Sequence, residues 1–281
     1  MPSPRILIKT YCYSDHELPF VIAQLEEGFD HIEKMYLYEY NYTHTGLPKP
    51  YYMEPVLKHV PALLATKLVY KKVDLSGVAE YAYENEPLIH AVNEPLMRSW
   101  FFNDPAVRLT DDTIVLDVDV DEIVYKSSYP ALLAALPRVG GATSIRCNQF
   151  FFRHNWLWTD CRFASPSMYY FGAVKGRRRT VKGRTVYLTR DLPQKTATEH
   201  AAHMSWIMPV SYMQKKLVSY SHPKYRIYND RALLESAIAE KKYIFNPATP
   251  FTIAELPLTD RRIPRYLARP EIFEYLDDVI H

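Results

Sequence analysis

The sequence is short of cysteine, of net charge and of long apolar runs, and each shortage closes off a class of protein. Its 281 residues include only three cysteines, Cys12, Cys147 and Cys161, with no C-x-x-C spacing. So sparse and odd a set offers no metal ribbon and no disulfide framework, and it fits a reducing compartment. Lys and Arg number 34 against 32 Asp and Glu, a formal net charge of +2, so no large field points to nucleic acid. No apolar stretch approaches the roughly 18–20 residues that span a bilayer. The opening Met-Pro-Ser-Pro-Arg leads into a strand-like run too short for a signal h-region. The expectation is an intracellular protein with no integral membrane segment.

What is present is apolar and aromatic. Hydrophobic residues make up 48% of the chain, ample for a packed core, and 23 tyrosines lift the aromatic share to 14%. Tyr and Trp give flat amphipathic surfaces that suit sugar faces, although core packing accounts for most of them.

Periodicity sets out alternating elements. Strands are read at 5–11, 34–39 and 68–73, with a helix from about Glu17 to Gly28, capped by Asp15 and stopped by Gly28. The stretch 85–102 has helical spacing that Pro95 should kink or interrupt. A strand follows at 114–123, then a short helix near 129–136. Strands alternating with helices predict an α/β, doubly wound, largely parallel sheet, whose ligands bind beyond the carboxyl ends of the strands. The second half reads as strands at 143–153, 168–174 and 185–189, a helix from Pro209 to about Tyr220, a helix at 230–242 and a Pro-rich tail. With no repeat and no low-complexity linker, one domain over 1–281 is expected, with residues to about 125 binding nucleotide and the rest facing an acceptor.

Five groups of residues are candidates for chemistry. Ile114-Val-Leu-Asp-Val-Asp-Val-Asp-Glu-Ile123 ends in Asp117, Asp119 and Asp121, two apart, which an extended strand turns to one face. Carboxylates so close repel unless a cation sits among them, so a divalent metal site is one reading and an acidic helix-capping turn the other. The loop Glu39-Tyr-Asn-Tyr-Thr-His-Thr-Gly-Leu-Pro-Lys-Pro50 is stiffened by two prolines and turned at Gly46. It reads as a binding loop or as an ordinary surface turn. His200, His203 and Trp206, then Lys216 and His222, offer metal ligands and positive charge for a phosphate, although a lone histidine is usually structural. The basic run 175–184 reads as a solvated hairpin or as a contact for an anionic acceptor or phosphate. Trp156 and Trp158 share a strand face that suits a sugar but more simply packs in the core.

These residues together resemble glycosyltransferase family 17, the bisecting β-1,4-mannosyl-glycoprotein N-acetylglucosaminyltransferases and their bacterial and viral relatives. The likeness rests on Glu39, Asn41, Tyr42, Thr43, Gly46, Pro48, Lys49 and Pro50. It continues through Glu94 and Arg98, Asp119, Asp121, Glu122 and Ile123, then His203, Ser205 and Trp206. It ends with Lys216, Leu217, Ser219, Tyr220, Ser221 and His222, and His16-Glu17 also fits. The matches fall in order over about residues 6–242. Val124 stands where the family has Pro, and the stretch 149–198 matches poorly.

The resemblance implies a GT-A type fold and inverting, metal-dependent transfer from a UDP-sugar to a glycan acceptor. UDP-GlcNAc is the donor it suggests, with UDP-xylose or another UDP-hexose open. It implies Mn²⁺ or Mg²⁺ on Asp119, Asp121 and His203, and donor or diphosphate contacts from Glu39, Arg98, Asp119, Lys216 and His222. Asp160 and Glu199 are the candidates for the base that inversion needs. A location in the cytoplasm, the host's for a viral member, goes with these expectations. Two other classes use similar residues: a non-catalytic carbohydrate-binding protein on a degenerate transferase fold, and a metal-dependent phosphodiesterase or hydrolase.

Overall fold

The computed structural model describes residues 5–161, 163–219, 221–246 and 248–272, without the side chains of Thr198 and Glu199. β1 (Ile6–Cys12) is buried at every position, Lys9 and Thr10 included, as a strand covered on both faces requires. It is followed by β2 (Lys34–Tyr40), β3 (Leu68–Val73) and β4 (Ile114–Asp117), all parallel and ordered β3-β2-β1-β4. Successive side chains of β1 feed two cores. Ile6, Ile8 and Cys12 lie in one with Phe20 and Leu25 of helix α1 (Leu18–Gly28). Leu7 and Tyr11 lie in the other with Met97 and Phe101 of helix α2 (Glu94–Asn103). That is period-2 alternation put to work: a sheet buried by helices on both sides.

The chain continues through β5 (Glu122–Val124), helix α3 (Tyr129–Ala135), β6 (Ala142–Phe151), β7 (Trp156–Trp158) and β8 (Phe163–Tyr170). It goes on to β9 (Arg178–Val181), β10 (Arg184–Tyr187), β11 (Gln194–Ser205), helices α4 (Val210–Ser219) and α5 (Arg231–Ala239), and β12 (Ile253–Glu255). β8 inserts antiparallel between β4 and β6, and β11 joins β6 in parallel, so one mixed sheet runs through both halves. The result is the expected α/β class: a Rossmann-like mixed sheet flanked by helices. Among the described residues no helix is long and apolar enough to cross a membrane.

Four local outcomes bear on the site. Pro95 interrupts its helix as expected, by a π-turn at Ile89–Asn93 ahead of α2. Proline has no N–H for the carbonyl of Ala91, four residues back, and Arg179 Nη2 from β9 takes that carbonyl instead at 3.1 Å. The acidic strand is shorter than the expected 114–123. β4 ends at Asp117, and a turn closed by Glu122 N on Asp119 O at 3.0 Å follows. The expected strand at 168–174 is instead the end of β8 plus a helical turn at Phe171–Val174. Trp156 and Trp158 are core residues: Trp158 packs on Phe151, Tyr243 and Phe251 with centroids 5.9, 4.9 and 5.0 Å away.

The loop after β2 depends on Gly46, which has φ +77° and would place a Cβ 1.9 Å from the Glu80 carbonyl oxygen. Neither the backbone conformation nor the space admits a side chain. Gly46→Ala is expected to cost at least about 2 kcal/mol, read as a lower urea midpoint at unchanged m-value. A midpoint within error of the wild type would refute this account of the loop.

Candidate functional site

The strand order reverses between β1 and β4, so the loops leaving their carboxyl ends diverge and open a crevice, the usual ligand position in such sheets. A cavity of about 730 Å³ lies there. Its walls come from the β1 end (Tyr11, Tyr13, His16, Glu17), the loop after β2 (Thr43, His44, Lys49, Tyr52) and α2 with the turn before it (His90, Glu94, Arg98). The turn after β4 adds Asp119 and Asp121, and β11 and α4 add His203, Trp206 and Lys216.

The three aspartates do not share a face, contrary to the expectation of an extended strand. Asp117 stays in the sheet, where Lys9 Nζ lies 2.6 Å from its Oδ1 and Tyr169 Oη donates to its Oδ2 at 3.1 Å. It does not line the cavity. Beyond it the backbone turns, because Glu122 Oε2 accepts from Asp119 N at 2.8 Å. Burial, with the Asp119 charge beside it, raises the Glu122 carboxyl above its ordinary range.

The turn presents Asp119 and Asp121 to different partners. Asp119 takes a two-pronged ion pair from Arg98, at 2.9 Å to Oδ1 and 3.4 Å to Oδ2. Arg98 is itself held at Nε by Glu94 at 2.8 Å. Burial works to raise both carboxyls, yet the guanidinium outweighs it. Asp119 is held well below the usual range and Glu94 at about 2. Asp121 Oδ2 faces His203 Nε2 at 3.7 Å and Lys216 Nζ at 3.9 Å. Burial again opposes ionisation, and His203 and then Lys216 keep the Asp121 carboxyl low. For His203 burial favours the neutral ring, but Asp121 wins and raises its pKa. His203 is fixed in place by stacking on Phe163 at 4.2 Å and by Nδ1 against Gln149 Oε1 at 2.8 Å.

Thus Arg98, Asp119, Asp121, His203 and Lys216 converge on one cavity. The metal trio does not assemble as a set, since Asp119 is taken by Arg98. Asp121 Oδ2 and His203 Nε2 remain 3.7 Å apart, a spacing one divalent ion can bridge, and their oxygen and imidazole donors suit Mn²⁺ and are tolerable for Mg²⁺.

Other candidates sit elsewhere. Glu39 is fully buried and does not reach the cavity. Its carboxylate accepts from Lys49 Nζ (3.1 Å), Tyr52 N (2.7 Å), Met53 N (3.1 Å) and Tyr70 Oη (2.7 Å), so it folds the loop whose Thr43, His44, Lys49 and Tyr52 do line the cavity. Asp160 is exposed on the turn after β7 and accepts from Thr252 N at 2.6 Å. It lies outside the cavity lining, away from where a base for transfer in this cavity would sit. The side chain of Glu199 lies outside the described residues, as does Tyr220. His222 lines the cavity, with Nδ1 against Glu86 Oε1 at 2.6 Å. The basic run forms the β9–β10 hairpin, and Arg184 lies over Trp100 at 4.3 Å.

Other cavity residues stand out by their burial. Buried Tyr13 Oη, both ring nitrogens of His16 and His44 Nε2 have no hydrogen-bond partner. Burial pushes the His16 pKa down to about 3, with Lys216 adding to it, and that of His44 to about 4. Both rings are neutral at pH 7. Glu17 is buried, and its Oε2 accepts from Tyr13 N at 2.6 Å and Ser14 N at 3.2 Å. Ser14, not Asp15, therefore caps the helical entry, and Ser14-Asp-His-Glu17 is the capping-box pattern that signals it. Burial raises the Glu17 carboxyl to about 7, against the two amide hydrogen bonds and Lys216, with Asp121 helping.

No protein-family model matches the chain, and no curated protein matches it. Among solved structures, 4-diphosphocytidyl-2C-methyl-D-erythritol synthase from Anaerococcus prevotii aligns over 83% of this chain and 97% of its own, at 10% identity and TM-score 0.35. A Bacillus anthracis protein described as a glucose-1-phosphate thymidylyltransferase, in complex with sucrose, aligns over 88% of this chain and 97% of its own, at 9% identity and TM-score 0.29.

Proposed function

We propose that the chain is an inverting glycosyltransferase that moves a sugar from a UDP-sugar to a hydroxyl of a glycan acceptor, with Mn²⁺ or Mg²⁺ held by Asp121 and His203. The observation that carries this reading is the convergence of Asp121, His203, Lys216 and the Arg98–Asp119 pair on one cavity at the switch point of the sheet. A departing nucleoside diphosphate needs positive charge already in place, and Lys216 and Arg98, both in the cavity lining, would supply it. The metal ion, when bound, would add Lewis-acid stabilisation of the same oxygens. Tyr13, His16 and His44 offer uncharged, unsatisfied donors and acceptors, as a nucleoside's base and ribose require. Glu17, with a pKa of about 7, takes the proton of the acceptor hydroxyl. UDP-GlcNAc is the donor favoured by the resemblance to glycosyltransferase family 17.

Thermal shift with a panel of UDP-sugars, with and without Mn²⁺, tests donor and metal together. A ligand at 100 times its Kd that binds only the folded chain adds about 2.7 kcal/mol, or about 5 °C in Tm for a chain of this size. The expected result is such a shift for one UDP-sugar, larger with Mn²⁺. No shift with any of them would overturn the assignment. UDP release without an acceptor would make the protein a hydrolase, and sugar binding with no UDP release would make it a binding protein.

A further inference from the structure

A ladder of alternating charge runs along one helix face at four-residue spacing. His90 Nε2 lies 3.6 Å from Glu86 Oε1, His90 Nδ1 is 2.7 Å from Glu94 Oε2, and Glu94 Oε1 holds Arg98. At the end away from Asp119, His222 comes across from the segment after α4 and sets its Nδ1 2.6 Å from Glu86 Oε1. One ligand atom each from Glu86, His90 and His222 lies within 4.8 Å of the others. The His90 and His222 rings are tilted at 51°, with centroids 5.4 Å apart, so they do not stack face to face.

We infer that Glu86, His90 and His222 form a transition-metal site of the zinc class, separate from the acidic turn at Asp121. Two imidazoles and one carboxylate are a donor set that Zn²⁺ favours and Mg²⁺ does not, and three protein ligands leave one position for water or an anion. Side-chain rotation would bring these atoms onto one ion at about 2.0–2.2 Å each. His90 also has the outer partner typical of a zinc-bound histidine. Glu94 at Nδ1 fixes the tautomer and leaves Nε2 as the ligand, facing Glu86. The π-turn at Ile89–Asn93 shapes the helix so that Glu86, His90 and Glu94 meet despite Pro95. An ion here ties the segment after α4, and with it the end of the helix that carries Lys216, to the helix that carries Arg98. The inference does not depend on the nature of the donor.

The test is Zn²⁺ titration of the metal-stripped full chain against a chromophoric chelator, with no nucleotide present. The wild type is expected to bind one equivalent tightly at this site. His90→Ala and His222→Ala, both at half-exposed positions, should each weaken binding about 100-fold or more, and Glu94→Gln about 10–100-fold. Asp121→Asn should leave this equivalent in place. Co²⁺ in place of Zn²⁺ should give visible d–d bands that the His90→Ala variant lacks. Wild-type affinity in both histidine variants, loss of the equivalent in Asp121→Asn, or no tight equivalent at all would each overturn the site.

Discussion

Asp121→Asn is expected to lower sugar transfer on the order of 10³-fold while the chain stays folded. The carboxylate is an anion that His203 Nε2 and Lys216 Nζ both face, at 3.7 and 3.9 Å. Removing its charge takes away a metal ligand and leaves Lys216 and the His203 ring without their common partner. It also acts on His203. Burial alone lowers that ring's pKa, and Asp121 is the principal group that raises it. In Asp121→Asn that support is gone, so the His203 pKa should fall. Activity assays with Mn²⁺, together with an NMR titration of the His203 ring, check both consequences. A folded variant with full activity would sink the transferase reading. An unchanged His203 pKa would sink the electrostatic account of the site.

The sequence made this acidic turn visible but not its shape. Asp117, Asp119 and Asp121 have strand spacing, and what breaks the strand is a tertiary choice. Lys9 and Tyr169 keep Asp117 in the sheet, while Glu122 reaches back to the amide of Asp119. β1, β2 and β3 were legible because each is a short stretch dominated by β-branched, aromatic and other apolar residues, despite the lysines within them. β11 was not. Its residues 194–205 are largely polar, and register shifts between Ala197, Glu199 and Ala201 disturb the period-2 alternation that marks a strand. Glu39 marked the right loop for a different reason, since it folds that loop from beneath. Asp160 failed because nothing in local sequence says which face of a turn meets the cavity. Tyr13 became a candidate only once burial without a partner was on view, whereas His16 and His44 fell within the resemblance and the loop but gained a role only from that burial.

Glu17→Gln is expected to lower transfer about 10²–10⁴-fold, the usual contribution of a positioned general base, and to change the pH profile. In the wild type the rate should fall as pH drops through about 7, with unit slope, because Glu17 must be ionised to accept the proton. That limb should vanish in the variant. Lys216 and Asp121 act on the same carboxyl in opposite senses, so Asp121→Asn, measured for residual activity, should move the limb to lower pH. Stability runs the other way. The folded pKa of about 7 lies above the ordinary 4.5, so the fold prefers the protonated form. The stabilising effect of that preference is complete below about pH 4.5 and is lost as pH rises through 7. The strain carried above pH 7 is about 3 kcal/mol at most. Gln keeps the shape of the protonated acid and offers an oxygen to the amides of Tyr13 and Ser14. At pH 8 the variant should therefore unfold at a urea concentration equal to or above that of the wild type, although it is nearly inactive. A variant that loses stability along with activity would mark Glu17 as a helix-capping residue and nothing more. Lost activity with the limb retained would place the base elsewhere.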